Sequence, residues 1–124
     1  MDLHELTREM HNFVRSMGWY DANSQRPQTL RNLAVSLNLE AAEVLEHFQW
    51  NDALVDQDAV AGELADVALY LLQLASLSGI DLEQAILAKL KTNYQRSWDD
   101  VTPAASGRNK NSAPGLKNLP EDPS

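Results

Sequence analysis

Residues 29–50 read TLRNLAVSLNLEAAEVLEHFQW, and residues 57–78 read QDAVAGELADVALYLLQLASLS. In the first stretch Leu30, Leu33, Ala34, Leu37, Ala41, Val44, Leu45 and Phe48 recur in steps of three and four. In the second, Val60, Leu64, Val67, Ala68, Leu71, Leu74 and Ala75 do the same. That is the period of a helix, and it predicts helices over 30–48 and 57–78 whose apolar arcs are too broad for one neighbour to cover. Thr29 stands where an N-cap hydroxyl accepts from free backbone N–H groups. Asn51 and Asp52 mark a turn in the connector 49–56, and Gly79 ends the second helix.

The pattern extends outward from this pair. Leu3, Leu6, Met10, Phe13, Val14 and Met17 form one stripe of an earlier helix, which Gly18 closes. Residues 18–29 hold Gly, Asn, Ser, Pro and Asp and read as a loop. Asp81 is a fitting N-cap for a fourth helix, with Glu83 and Gln84 in its first turn, running to about Trp98 through Leu82, Ala85, Ile86, Leu90 and Tyr94. No alternating strand pattern occurs. The expected fold is therefore all-α, a four-helix bundle-type subunit over residues 1–100, followed by a Pro/Gly/Ser-rich tail at 101–124 without a core of its own. So short a chain buries only ~60–65% of its surface alone. A homodimer or homotetramer that completes the bundle is expected.

Charge narrows the function. Asp plus Glu number 18 against 10 Lys plus Arg, a net charge of -8. Such a chain repels a bare phosphate backbone, so nucleic acid is not an expected partner. It binds a phosphorylated small molecule when a metal stands between the two negative partners. With no cysteine, thiolate zinc sites and cysteine nucleophiles are excluded. The first residues are too charged for a signal peptide, and no apolar run approaches the ~18 residues that span a bilayer. A cytoplasmic protein with no membrane partner is the expectation.

The acids at helical spacing carry the chemistry. Glu40 and Glu43 are three apart in the second helix, and Glu63 and Asp66 are three apart in the third. Residues at i and i+3 share a face. At 100° per residue Glu40 lies ~40° from Val44 and ~20° from Leu33, at the border of the apolar arc, and Glu63 stands in the same relation to Val67 and Leu74. Helices joined by a short connector pack antiparallel, which brings both pairs to one seam. Four crowded carboxylates either keep protons or hold a cation. Oxygen-only ligands favour a hard ion, Mg²⁺, Mn²⁺ or Ca²⁺. A pair of this kind on a lone helix is more simply a solvated face.

Residues 39–50 with Gly62-Glu63-Leu64-Ala65-Asp66-Val67 and Tyr70 resemble the MazG-like all-α nucleotide pyrophosphohydrolases. The resemblance is nearest to the dCTP pyrophosphatase branch, where E-x-x-E-x-x-E-x-F-Q-W precedes E-L-x-D-V. Arg31-Asn32 upstream and the Lys89, Asn93, Arg96 series downstream fit the same pattern. The likeness spans about residues 2–98. It implies hydrolysis of a (deoxy)nucleoside triphosphate, with dCTP or a modified deoxynucleotide as candidates, to the monophosphate and pyrophosphate. It further implies Glu40, Glu43, Glu63 and Asp66 as Mg²⁺ ligands, Mn²⁺ being an alternative, and metal-activated water attacking the α-phosphorus. Lys89 and Arg96 would meet the phosphates and Asn93 the sugar or phosphate. Trp50 and Trp19 would stack on the base and Tyr70 would pack on the sugar, with Arg31 beside them in the substrate site. Where the wider family often has an acid, this chain has Leu39, which leaves Glu40 and Glu46 as candidates to orient the water, Glu40 being preferred. His47 reads as a rim residue, and His4 and His11 as no ligands of the site.

Two rivals share parts of the pattern. A phosphoribosyl-ATP pyrophosphohydrolase-like enzyme uses similar acids, but Phe48-Gln49-Trp50 argues against it. A non-catalytic helical interaction module requires only that the acids be solvated. A di-iron bundle needs Glu-x-x-His pairs, and Glu43 to His47 is one residue too long.

Overall fold

The computed structural model describes residues 1–99, with side chains described through Arg96. Four helices follow in order: α1 (Leu3–Ser16), α2 (Leu30–Glu46), α3 (Gln57–Leu77) and α4 (Leu82–Asp99). No strand occurs among the described residues. The chain forms two compact units, Met1–Glu83 and Gln84–Ser124. The first holds α1, α2, α3 and the start of α4. The predicted tail lies outside the described residues, as does the Trp98 side chain.

Each helix begins and ends for a local reason. Asp2 Oδ1 accepts from Glu5 N at 2.8 Å, Thr29 Oγ1 from Asn32 N at 3.1 Å, and Asp56 Oδ1 from Ala59 N at 3.0 Å. Each of these caps satisfies an N–H that has no intrahelical acceptor. The Asp56 cap was read from sequence only as part of the connector. Gly18 at φ 75° and Gly79 at φ 73° carry the chain out of α1 and α3 in the left-handed region, where a side chain is strained.

Within the first unit α2 and α1 both pack on α3. Two long-range hydrogen bonds set the direction of α2 against α3. His47, at the end of α2, meets Glu63 in the second turn of α3, and Gln28, just before α2, meets Gln73 near the end of α3. The two helices are antiparallel, as their short connector requires. Met10, Val14 and Leu72 form the core cluster, with Leu3, Trp19, Tyr20 and Leu82 packed around it. Leu33, 2% exposed, is the most deeply buried large side chain.

The predicted arcs are only partly covered. Leu45 on α2 and Leu64 on α3 keep more than half of their surface exposed, and Leu30 close to half. One expectation is corrected: α3, at 21 residues, is by length and composition alone apolar enough to cross a membrane. Glu63 and Asp66 interrupt the run of apolar letters without lowering its average enough. Glu63 nevertheless lies against acids and a histidine of α2, the placement of a charged residue on a core helix.

Candidate active site

The antiparallel register of α2 and α3 brings three of the four predicted acids together. Carboxylate oxygens of Glu40, Glu43 and Glu63 lie within 4.8 Å of one another, all three side chains half-buried. Asp66 lies outside that cluster, yet its charge is close enough to act on Glu40. Burial is the main force raising the Glu40 pKa above the usual carboxylate range, followed by the charges of Asp66 and Glu63. Glu43 is raised first by the Glu40 charge, then by its hydrogen bond to Glu63, by the Glu63 charge, by burial and by Glu46. Crowded carboxylates penalise one another's ionised form, and desolvation adds to the penalty.

Glu40 Oε1 is buried and has no hydrogen-bond partner. A buried acceptor of this kind is costly unless something completes it. Three converging carboxylates with one orphaned oxygen fit a hard divalent cation such as Mg²⁺ or Mn²⁺. His47 completes the surroundings. Its Nε2 lies 3.4 Å from Glu63 Oε2, with the two side chains 25% and 24% exposed. His47 stands at the rim of the cluster, as expected, and is paired there with Glu63.

Beside the cluster, α1, the 17–29 loop, α2 and α3 line an open-sided cavity of about 620 Å³. Ser36, one turn before Glu40, and Asp66 line its side toward the acids, while Leu6, Met10, Phe13 and Trp19, with Glu9 among them, line the side of α1 and the loop. Tyr70 lines it, one turn past Asp66. Trp19 is held edge-on by Phe13, with ring centroids 5.6 Å apart, and the Arg26 guanidinium sits 4.3 Å above its face.

Trp50 is not part of this wall. The residue is 90% exposed and it lines no cavity described for the first unit. The sequence reading placed it along the axis of the second helix, but α2 stops at Glu46. Tight bonds from His47 N to Val44 O and Phe48 N to Leu45 O then turn the chain aside. Arg31 is also exposed and absent from the lining. Lys89, Asn93 and Arg96 lie on α4 within the second unit, at a spacing that shares one helical face.

One group of polar residues escaped the sequence reading. Ser76, His11, Tyr20, Gln73 and Gln28 join in a hydrogen-bonded chain behind the cavity. Gln73 sits among leucines on α3, and a polar residue in an apolar arc was the only local hint. His11 and Tyr20 come from elsewhere in the sequence and gave none.

The MazG-like family model matches residues 35–101 of this chain, from the middle of α2 to just past α4. The chain belongs to the MazG-like family. It is 37% identical over 75 residues to dCTP pyrophosphatase 1 of Mus musculus, covering 53% of this chain and 44% of that protein. It is 53% identical over 36 residues to a dATP/dGTP diphosphohydrolase of Cyanophage S-2L, covering 29% of this chain and 34% of that one. A solved pyrophosphatase from Archaeoglobus fulgidus is similar over 76% of this chain and 90% of its own, with 33% identity and a TM-score of 0.61. This MazG-like chain thus spans less than half the length of the mouse relative it matches.

Proposed function

We propose that this chain is a divalent-metal-dependent nucleoside triphosphate pyrophosphohydrolase, releasing a nucleoside monophosphate and pyrophosphate. The observation that carries the reading is the orphaned Glu40 oxygen in a cluster of three carboxylates, beside a cavity that Asp66 lines together with apolar side chains of α1 and the loop. The names of the mouse and phage relatives, and of the archaeal structure, support the same class of reaction.

Glu40, Glu43 and Glu63 hold the ion, Mg²⁺ or Mn²⁺, with Asp66 at the cavity edge as the fourth acid. When bound, the ion supplies Lewis-acid polarisation and neutralises charge between triphosphate and protein. That neutralisation matters in a chain of net charge -8. His47 keeps the Glu63 carboxylate turned toward the cluster. Glu40 orients the attacking water and takes its proton. The nucleoside occupies the cavity, its sugar against Tyr70 and its base on the apolar side. Arg26 already covers one face of Trp19, so the base stacks on the opposite face or on the guanidinium plane. A second copy of the chain covers the exposed leucines of α2 and α3, making a homodimer or homotetramer.

The test is a product analysis. With Mg²⁺ or Mn²⁺, the protein should convert deoxynucleoside triphosphates to monophosphate and pyrophosphate. In ¹⁸O-water the label should enter the monophosphate, marking attack at the α-phosphorus. Glu63→Gln should abolish turnover in a folded protein. Orthophosphate as the first product, or no cleavage with either ion, would refute the proposal.

A further inference from the structure

The half-buried polar chain beside the cavity has its direction set, at the Gln28 end, by one carbonyl. Gln28 Nε2 donates to the Arg26 carbonyl at 2.6 Å, and a carbonyl only accepts. Gln28 therefore offers Oε1 to Gln73, which donates from Nε2 at 2.8 Å. Gln73 Nε2 also donates to the Tyr20 oxygen at 3.2 Å. While its oxygen accepts from Gln73, the Tyr20 hydroxyl is free to donate to His11 Nδ1, 2.6 Å away, in the ring tautomer protonated on Nε2. In that tautomer His11 Nε2 donates to Ser76 Oγ at 2.8 Å. Ionisation states agree with this order. Burial, then the Arg15 charge, lowers the His11 pKa and favours the neutral ring, and burial raises that of Tyr20 and keeps its proton.

Both Nε2 protons of Gln73 are thereby used. Turning the amide over would set its oxygen against Gln28 Oε1, which Arg26 holds in place. Gln73 is 3% exposed, and it lines the cavity. What it offers a ligand is Oε1, an acceptor and nothing else.

We propose that Gln73 is the base-reading residue of the cavity: its fixed amide oxygen selects nucleobases that present an exocyclic amino group. The inference rests on the reading that the cavity holds the nucleoside. An amino group, as on cytosine or adenine, donates to Oε1. A keto group at the same ring position, as in uracil or hypoxanthine, sets two acceptors face to face, with the ring N–H of that form one position away. A buried acceptor left unmatched costs roughly 5- to 150-fold in binding.

The experiment compares bases that differ at that group and at the adjacent ring nitrogen, which carries a proton in the keto form. With the full chain and Mg²⁺, kcat/KM for dCTP should exceed that for dUTP, and that for dATP should exceed that for dITP, by about 5-fold or more. Gln73→Leu keeps the volume and removes the acceptor, and should bring each ratio to within about 2-fold of unity. Calorimetric binding of dCMP against dUMP to the unaltered protein gives the same comparison without chemistry and without the variant. Equal use of both members of each pair, or an unchanged ratio in folded Gln73→Leu, overturns the role of Gln73 and leaves the hydrolase reading intact. If no triphosphate is cleaved, the hydrolase reading fails by itself. The monophosphate pair then decides: tighter dCMP supports the base-reading amide, and equal or absent binding overturns it.

Discussion

Replacing Glu40 by glutamine separates the two states of the acidic cluster, with and without its cation. In the metal-free protein the Glu40 carboxylate is a liability: one oxygen is buried without a partner, and Glu63 and Asp66 repel it. A buried unpaired acceptor costs about 1–3 kcal/mol, and the half-exposure of the side chain puts Glu40 at the lower end. The amide of Glu40→Gln removes the charge and donates to the remaining carboxylates. Metal-free Glu40→Gln should then be more stable than the unaltered protein by ~1 kcal/mol, or about 4–8 °C in Tm for a domain of this size. Metal reverses the order. A cation at 100 times its Kd stabilises the folded state by ~2.7 kcal/mol, on the order of 10–20 °C. Each tenfold loss of affinity removes ~1.4 kcal/mol of that gain. Melting curves at pH 7.5 across a Mg²⁺ titration, with EDTA as the zero point, read both effects. The unaltered protein should gain most of its stability from Mg²⁺ and the variant little. An equal Mg²⁺ shift in both proteins, or a metal-free variant that melts lower, would refute the assignment of Glu40.

Two further outcomes follow from the same geometry. Because the folded-state pKa values of Glu40 and Glu43 are raised, their protonation favours folding: their destabilisation of the metal-free protein is absent below about pH 4.5 and grows as pH rises through the raised values. The stability gap between unaltered protein and Glu40→Gln should therefore close as pH falls from 7.5 toward 4.5, and a gap constant in denaturant melts across that range would contradict the cause. Trp50→Ala removes a ring that touches little in its own subunit, so stability should change by less than ~0.5 kcal/mol by urea melt; a loss of nucleotide affinity without loss of fold would mean that a second copy of the chain supplies the ring.

The chain by itself determined the helices, because they rest on local periodicity and on caps within three residues of one another. Leu33, Val60 and Ala75 are buried where the 3.6-residue period put them, Thr29 caps α2, and Gly18 and Gly79 end helices. It also singled out the acids, since i, i+3 spacing on helices joined by a short connector leaves one arrangement. The tertiary structure decided what depends on distance across the fold. It drew Glu63 rather than Asp66 into the tight cluster, set His47 against Glu63, and left Trp50 outside, because α2 ends at Glu46, before its apolar pattern does. It alone joined His11, Tyr20, Gln28, Gln73 and Ser76. Their separations of up to 65 residues leave no periodic trace. Hydrogen-bond partners of buried polar groups are chosen by packing, and packing is settled only when all the helices have met.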